Sequence, residues 1–220
     1  MAHPFAHRLD AAAQLAARLL PMAKDWQQPI VLALVRGGVP VGACIARDLD
    51  CPWEPLLVRK LGAWGQPEVA WGAVALGMND HGNWSVVRAL NETLQPAAGF
   101  PSDWMEIREQ ERHEELLALR HRYALPDRPC GLEGRTAIVV DDGVATGCSL
   151  RAAMAAARSR HCHQVVLAIP VAPSDVWLRL RAQADEGVCL VIAQPFVSVS
   201  AFYGQFPDVQ DHEIQQWMRP

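Results

Sequence analysis

The 220-residue chain has no apolar run approaching the ~20 residues that a membrane-spanning helix needs. Its first ten residues, Met1–Asp10, carry His3, His7, Arg8 and Asp10 and lack a long apolar core, which argues against a secretory leader. A cytoplasmic location is therefore expected. None of the six cysteines (Cys44, Cys51, Cys130, Cys148, Cys162 and Cys189) forms a Cys-x-x-Cys pair, and a chain this long and apolar needs no disulfide staples. The run His161–Cys162–His163 has no second ligand cluster near it, and three consecutive residues cannot all face one ion from a regular element, so it reads as a polar helix end. A basic stripe is missing too. The formal net charge is −4 with acids and bases interleaved, which argues against a partner held through nucleic-acid phosphates. A Lys-bearing phosphate loop of the Walker type is also absent.

What is present suits one globular domain over residues 1–220: half of the residues are hydrophobic and 20% are charged. Helical periodicity alternates with short apolar runs. Helices are expected at Ala6–Leu20, Val39–Leu49, Asp103–Tyr123, Leu150–Ser159, Asp175–Ala184 and near Asp211–Met218. Strands are expected at Ile30–Val35, Pro55–Val58, Thr136–Val140, Val165–Val171 and Val188–Ala193. Between them, residues 61–101 are punctuated by glycines and read as mobile loops and a hairpin, with short strands at Val69–Leu76 and Trp84–Arg88. The charged run of the long helix, Arg108 to Glu115, reads as a solvated face, with Met105, Leu116 and Leu119 turned inward. The fold class is α/β: a Rossmann-like, mostly parallel sheet with helices on both faces. In such sheets ligands bind beyond the carboxyl ends of the strands, and three clusters follow strands.

The first cluster follows Thr136–Val140. Asp141 and Asp142 end the strand, Gly143, Ala145 and Gly147 keep the turn small, and Ser149 opens a helix. Small residues let backbone N–H groups approach an anion, the helix N-terminus adds a favourable dipole, and Thr146 and Ser149 supply hydroxyls. Two carboxylates would repel a phosphate in the same cradle, but they accept well from hydroxyls a few ångströms away. Phosphate at one end and vicinal hydroxyls at the other describe a ribose 5-phosphate. The second cluster is Arg36–Gly37–Gly38–Val39–Pro40, where two glycines allow close backbone approach to an anion and Arg36 adds charge. The third is Val58–Arg59–Lys60–Leu61–Gly62, a basic pair at a strand end.

The run Ala137-Ile-Val-Val-Asp-Asp-Gly-Val-Ala-Thr-Gly-Cys-Ser149 resembles the phosphoribosyl-pyrophosphate (PRPP) signature of the type I phosphoribosyltransferases, with Ser149 in place of the commoner Thr. The stretches Leu34–Val41, Val58–Gly62, Pro67–Ala73 and Asp185–Cys189 resemble a bacterial subgroup of that family whose substrates are poorly defined. The resemblance implies that Asp141 and Asp142 bind ribose hydroxyls and that Gly143, Val144, Ala145, Thr146, Gly147, Cys148 and Ser149 wrap the 5-phosphate. It further implies that Arg36, Gly37, Gly38, Arg59 and Lys60 hold pyrophosphate, with Lys60 stabilising it as it leaves. Catalysis would thus rest on Lys60, Asp141 and Asp142. Mg²⁺ would arrive with the donor and not through a dedicated protein cluster. Residues Trp64–Gly82 would close as a lid, with Glu68 near the site. A C-terminal hood at 194–220 would offer Phe196, Phe202 and Tyr203 to stack on a nucleobase or similar nitrogen acceptor. The implied partners are small molecules, and a homodimer is compatible with the family. The competing reading is a non-catalytic regulator that binds PRPP or a nucleotide.

Overall fold

The computed structural model describes residues 3–63, 66–90 and 103–219, without the side chains of 63 and 66–70. Trp64, Gly65 and the stretch 91–101, which the sequence assigned to the lid and the mobile loop, lie outside the described residues, as does the side chain of Glu68.

The chain opens with α1 (Arg8–Leu19), followed by β1 (Ile30–Leu34), α2 (Gly38–Asp48) and β2 (Trp53–Leu56). After an inserted segment come β6 (Thr136–Val140), α4 (Cys148–Ser159), β7 (Gln164–Pro173), α5 (Ser174–Arg181), β8 (Glu186–Ala193) and, near the end, α6 (Asp211–Trp217). The five strands form a sheet in the order β2-β1-β6-β7-β8, and every pairing in it is parallel. β1 and β6 are buried along their whole length, as continuous apolar runs require. Their residues alternate between two cores. Leu32, Leu34, Ala137 and Val139 pack with α4, while Val31, Ala33, Ile138 and Val140 pack with α1 and α2.

That alternation positions the site. The chain leaves β1 through α2 on one face and leaves β6 through α4 on the other, and the strand order reverses between these two neighbours. A crevice opens where such loops part, and ligands of open α/β sheets settle there.

The inserted segment contains the expected hairpin, with strands that include Val69–Leu76 and Trp84–Arg88, and adds a third strand where mobile loops were expected. β3 (Val58–Ala63), β4 (Gln66–Met78) and β5 (Trp84–Leu90) form an antiparallel three-stranded sheet in that order, and α3 (Trp104–Arg122) follows. Ala73, Val74, Ala75 and Leu76 are at most 1% exposed. They make a packed layer between α4 on one side and Leu116 and Leu119 of α3 on the other. Two of the glycines that suggested loops, Gly72 and Gly77, record close packing instead: a side chain at Gly77 would overlap Ser159 Oγ on α4. The lid reading of Trp64–Gly82 is corrected accordingly, because Trp71 to Gly77 are buried inside β4. The strand expected at Pro55–Val58 is also two strands: β2 ends at Leu56 and β3 begins at Val58.

Candidate active site

Both loops at the crevice are shaped by glycine. At the end of β1 the Val35–Arg36 peptide is cis, and α2 starts two residues later. Any side chain at Gly37 would occupy the space of the Asp142 carboxylate, so the two loops interlock only without one. On the β6 side, Gly147 caps α4 with φ +84°, a left-handed conformation that glycine adopts without steric cost. This turn swings the chain from the acid pair into the helix and brings Thr146, Gly147 and Ser149 to one edge.

Asp141, Lys60 and Ser149 meet at this edge. They line a cavity of about 280 Å³ with Arg36 and Arg59, and they also line a recess of about 50 Å³ whose wall is the 143–147 turn. All three sequence clusters therefore converge on one place. Asp141 Oδ1 accepts the Asp142 backbone N–H at 2.9 Å. Burial pushes the Asp141 carboxyl well above its ordinary range, and the negative Asp142 adds to the rise; the accepted backbone hydrogen bond and the positive Lys60 oppose it.

Asp142 has different surroundings. Its Oδ2 accepts from Arg8 Nε at 2.8 Å, and its carbonyl accepts from the Tyr203 hydroxyl at 2.6 Å. Burial raises its carboxyl too, while the charge and hydrogen bond of Arg8 pull it down. Arg8 Nη1 donates to the Pro207 carbonyl at 2.6 Å, and the guanidinium lies 3.7 Å from the centre of the Phe206 ring. Sequence reasoning missed Arg8. An arginine at the first turn of an amphipathic helix carries no signal of a partner 134 positions away.

The basic residues are held from outside. Arg59 Nε lies 3.4 Å from Glu115 of α3, and its half-buried guanidinium has a lowered pKa because of desolvation. Glu115 is nonetheless 45% exposed, so it keeps the solvated position assigned to its run while reaching Arg59. Arg36 stands 4.0 Å from Asp211, which also accepts from Tyr123 at 2.8 Å and from Arg122 at 2.6 Å.

Of the three stacking candidates, Tyr203 is withdrawn from a ligand. It is 3% exposed, its hydroxyl is engaged, and its ring packs on Phe5 and Phe206 at 5.1 and 4.7 Å. Phe196 lines a larger cavity of about 670 Å³ between Ala145–Gly147, Pro173 and Gln194, and Phe202 stacks behind it at 5.7 Å. Among the described residues no group of three or more His, Cys, Asp or Glu converges as a metal cluster. No helix among them is long and apolar enough to cross a membrane.

A doubly wound sheet whose switch point carries an acid pair, a small-residue turn and a basic pair defines an α/β protein with a polar crevice at the carboxyl ends of its strands. Comparison with known proteins narrows the class. The family model for the phosphoribosyl transferase domain matches residues 5–203, so the chain belongs to that family, with the type I fold. Two Mycobacterium tuberculosis proteins, provisionally named phosphoribosyl transferases, are 37% identical over 210 residues, which is 96% of this chain and 45% of theirs. The chain thus spans about half the length of these relatives. The crystal structure of the Thermus thermophilus protein TT1426 superposes with a TM-score of 0.73 at 35% identity, covering 97% of both chains.

Proposed function

We propose that this chain transfers ribose 5-phosphate from PRPP to a nitrogen nucleophile and releases pyrophosphate. The observation that carries the reading is the convergence of Asp141, Lys60, Arg36 and Ser149 on one cavity from three separate segments of the chain. The 143–149 turn supplies backbone donors for the 5-phosphate, Asp141 accepts from ribose hydroxyls, and Arg36 and Lys60 face the pyrophosphate. In the transfer the bond from the anomeric carbon to pyrophosphate oxygen breaks and its electron pair leaves with pyrophosphate. The acceptor nitrogen lone pair forms the new bond, and the nitrogen then gives up its proton. Positive charge develops at the anomeric carbon and negative charge on the leaving group, so fixed cations beside the latter lower the barrier.

Mg²⁺ fits this site as a companion of the donor. The hard carboxylate on offer in the cavity is that of Asp141, since Asp142 is paired with Arg8; one carboxylate is too few for a protein cage, and Mg²⁺ prefers substrate oxygens in such a setting. When bound, it neutralises pyrophosphate charge. The acceptor is assigned to the 670 Å³ cavity beside Phe196, a size in the ordinary range for small-molecule sites.

The test is pyrophosphate release from PRPP and Mg²⁺ with a panel of nitrogen bases. Release with at least one base is expected, together with a loss of about 100-fold in Lys60→Met, since the charge-assisted contact to the leaving group would be gone. Tight PRPP binding without release for any acceptor would favour the non-catalytic regulator instead.

A further inference from the structure

The two ends of the described chain meet the acid pair through one side chain. Arg8 opens α1, yet its side chain is only 10% exposed. It reaches Asp142 with one nitrogen and the Pro207 carbonyl with another, and it lies flat on Phe206. The Tyr203 hydroxyl holds the Asp142 carbonyl, so Asp142 is tied at both side chain and main chain. Asp141, one residue away, faces the cavity with Lys60 and Ser149. Adjacent carboxylates at a buried strand end repel each other, and a guanidinium on one of them decides which is neutralised by protein and which is left for a ligand.

We propose that Arg8 is a positioning residue that fixes Asp142 as the internal anchor of the acid pair and leaves Asp141 as the acid that receives the ribose hydroxyls. Arg8 lines none of the three spaces assigned to donor and acceptor. It acts by holding the carboxylate against Gly37, so that the turn after β1 and the turn after β6 keep one relative placement. The tail residues Tyr203, Phe206 and Pro207 complete the clamp, which makes the hood a support of the donor loop. The inference rests on the donor-binding reading above.

Calorimetric titration of the full chain with PRPP and Mg²⁺ tests it. Arg8→Gln strands a buried carboxylate and is expected to weaken donor binding by about 30-fold or more, whereas Arg8→Lys, which keeps the charge but not the forked geometry, should cost about 3- to 10-fold. Arg8→Gln combined with Asp142→Asn restores a neutral pair, so its loss should be smaller than the product of the two single losses. Glu54→Gln, which breaks a buried ion pair remote from the cavity, is the control: it should lower the melting temperature and leave donor affinity unchanged. A donor affinity within twofold of wild type in Arg8→Gln overturns the proposal and leaves Arg8 as a packing residue. If Arg8→Gln does not fold, Arg8→Lys decides by the same twofold limit. Asp141→Asn separates the two layers. Undiminished donor binding in that variant sinks the donor reading itself, whereas loss there with normal binding in the Arg8 variants overturns only the role of Arg8.

Discussion

Asp141→Asn is expected to stabilise the unliganded protein while disabling donor recognition. The amide keeps an oxygen to accept the Asp142 N–H now bonded at 2.9 Å. It removes a buried charge and the repulsion from Asp142, at the expense of the attraction to Lys60. Relief of a functional site typically contributes on the order of 1 kcal/mol, which for a chain of this length is about 2–4 °C in Tm. The gain depends on pH. The folded-state pKa of Asp141 lies above its unfolded value near 3.8, so the folded protein binds this proton more tightly and loses stability as pH rises between the two values. The advantage of Asn is therefore full above the folded-state value and vanishes below about pH 3.8. Donor binding moves the other way. Hydrogen bonds to a charged acceptor contribute about 1.5–3 kcal/mol each, so Kd for PRPP should rise about 100-fold. With donor at 100 times the wild-type Kd, wild type gains about 2.7 kcal/mol, or roughly 5–10 °C. The variant keeps about 0.4 kcal/mol, near 1 °C. Differential scanning fluorimetry with and without PRPP and Mg²⁺, at neutral pH and near pH 4, reads all of these values. A lowered Tm at neutral pH without ligand, or a full donor-induced shift, would refute the reasoning.

Gly37→Ala places a methyl group where the Asp142 carboxylate lies. Overpacking of this kind costs about 1–3 kcal/mol, seen as a lower urea midpoint at unchanged m, and the displaced carboxylate should also weaken PRPP binding in calorimetry. Glu54→Gln removes the counter-charge of Arg160, which is 0% exposed. The loss should be about 3 kcal/mol, the lower end of the usual range because Glu54 keeps 25% exposure, while the donor-induced Tm shift stays intact. Phe196→Ala should leave that shift unchanged and raise KM for the acceptor in the pyrophosphate-release assay, because Phe196 lines only the larger cavity. An equal loss of donor affinity would disprove the separation of the two cavities.

The parallel sheet and its two loops were legible because each carries its own local code. A strand buried on both faces reads as an apolar run, as Ala137–Val140 does, and a turn that admits an anion must be small, as Gly143–Gly147 is. The hairpin of the inserted sheet was legible as the strands near Val69–Leu76 and Trp84–Arg88, but its packed burial was not, because that part of its code is tertiary. Gly72 and Gly77 look like loop punctuation, yet they stand where a strand lies flush against a neighbouring strand and against α4. Periodicity cannot tell a glycine chosen for backbone freedom from one chosen for lack of volume. Arg8 was hidden for a related reason. Its partners Asp142, Phe206 and Pro207 are distant in sequence, and only closure of the fold brings them together.

Lys60 shows how the illegible part governs the legible one. The basic pair reads as a strand end, but it lies inside β3, where Arg59 pairs with Val74 and Lys60 with Ala73. Strand alternation sends neighbours to opposite faces. Arg59 and Leu61 turn toward α3, where Glu115 and Leu116 wait, while Val58 and Lys60 turn toward the α4 side. Both cations border the larger of the two spaces, but of the two only Lys60 lines the recess with Asp141, Ser149 and the 143–147 turn. A one-residue slip that inverted β3 would carry Lys60 to the α3 face and away from that recess. What opposes the slip is the apolar pattern of β3 itself. Val58 packs on the α4 side, whereas Leu61 fills the α3 side, and exchanging the two faces would overpack one layer and open voids in the other. The lysine assigned to pyrophosphate is therefore aimed by the buried apolar residues on either side of it.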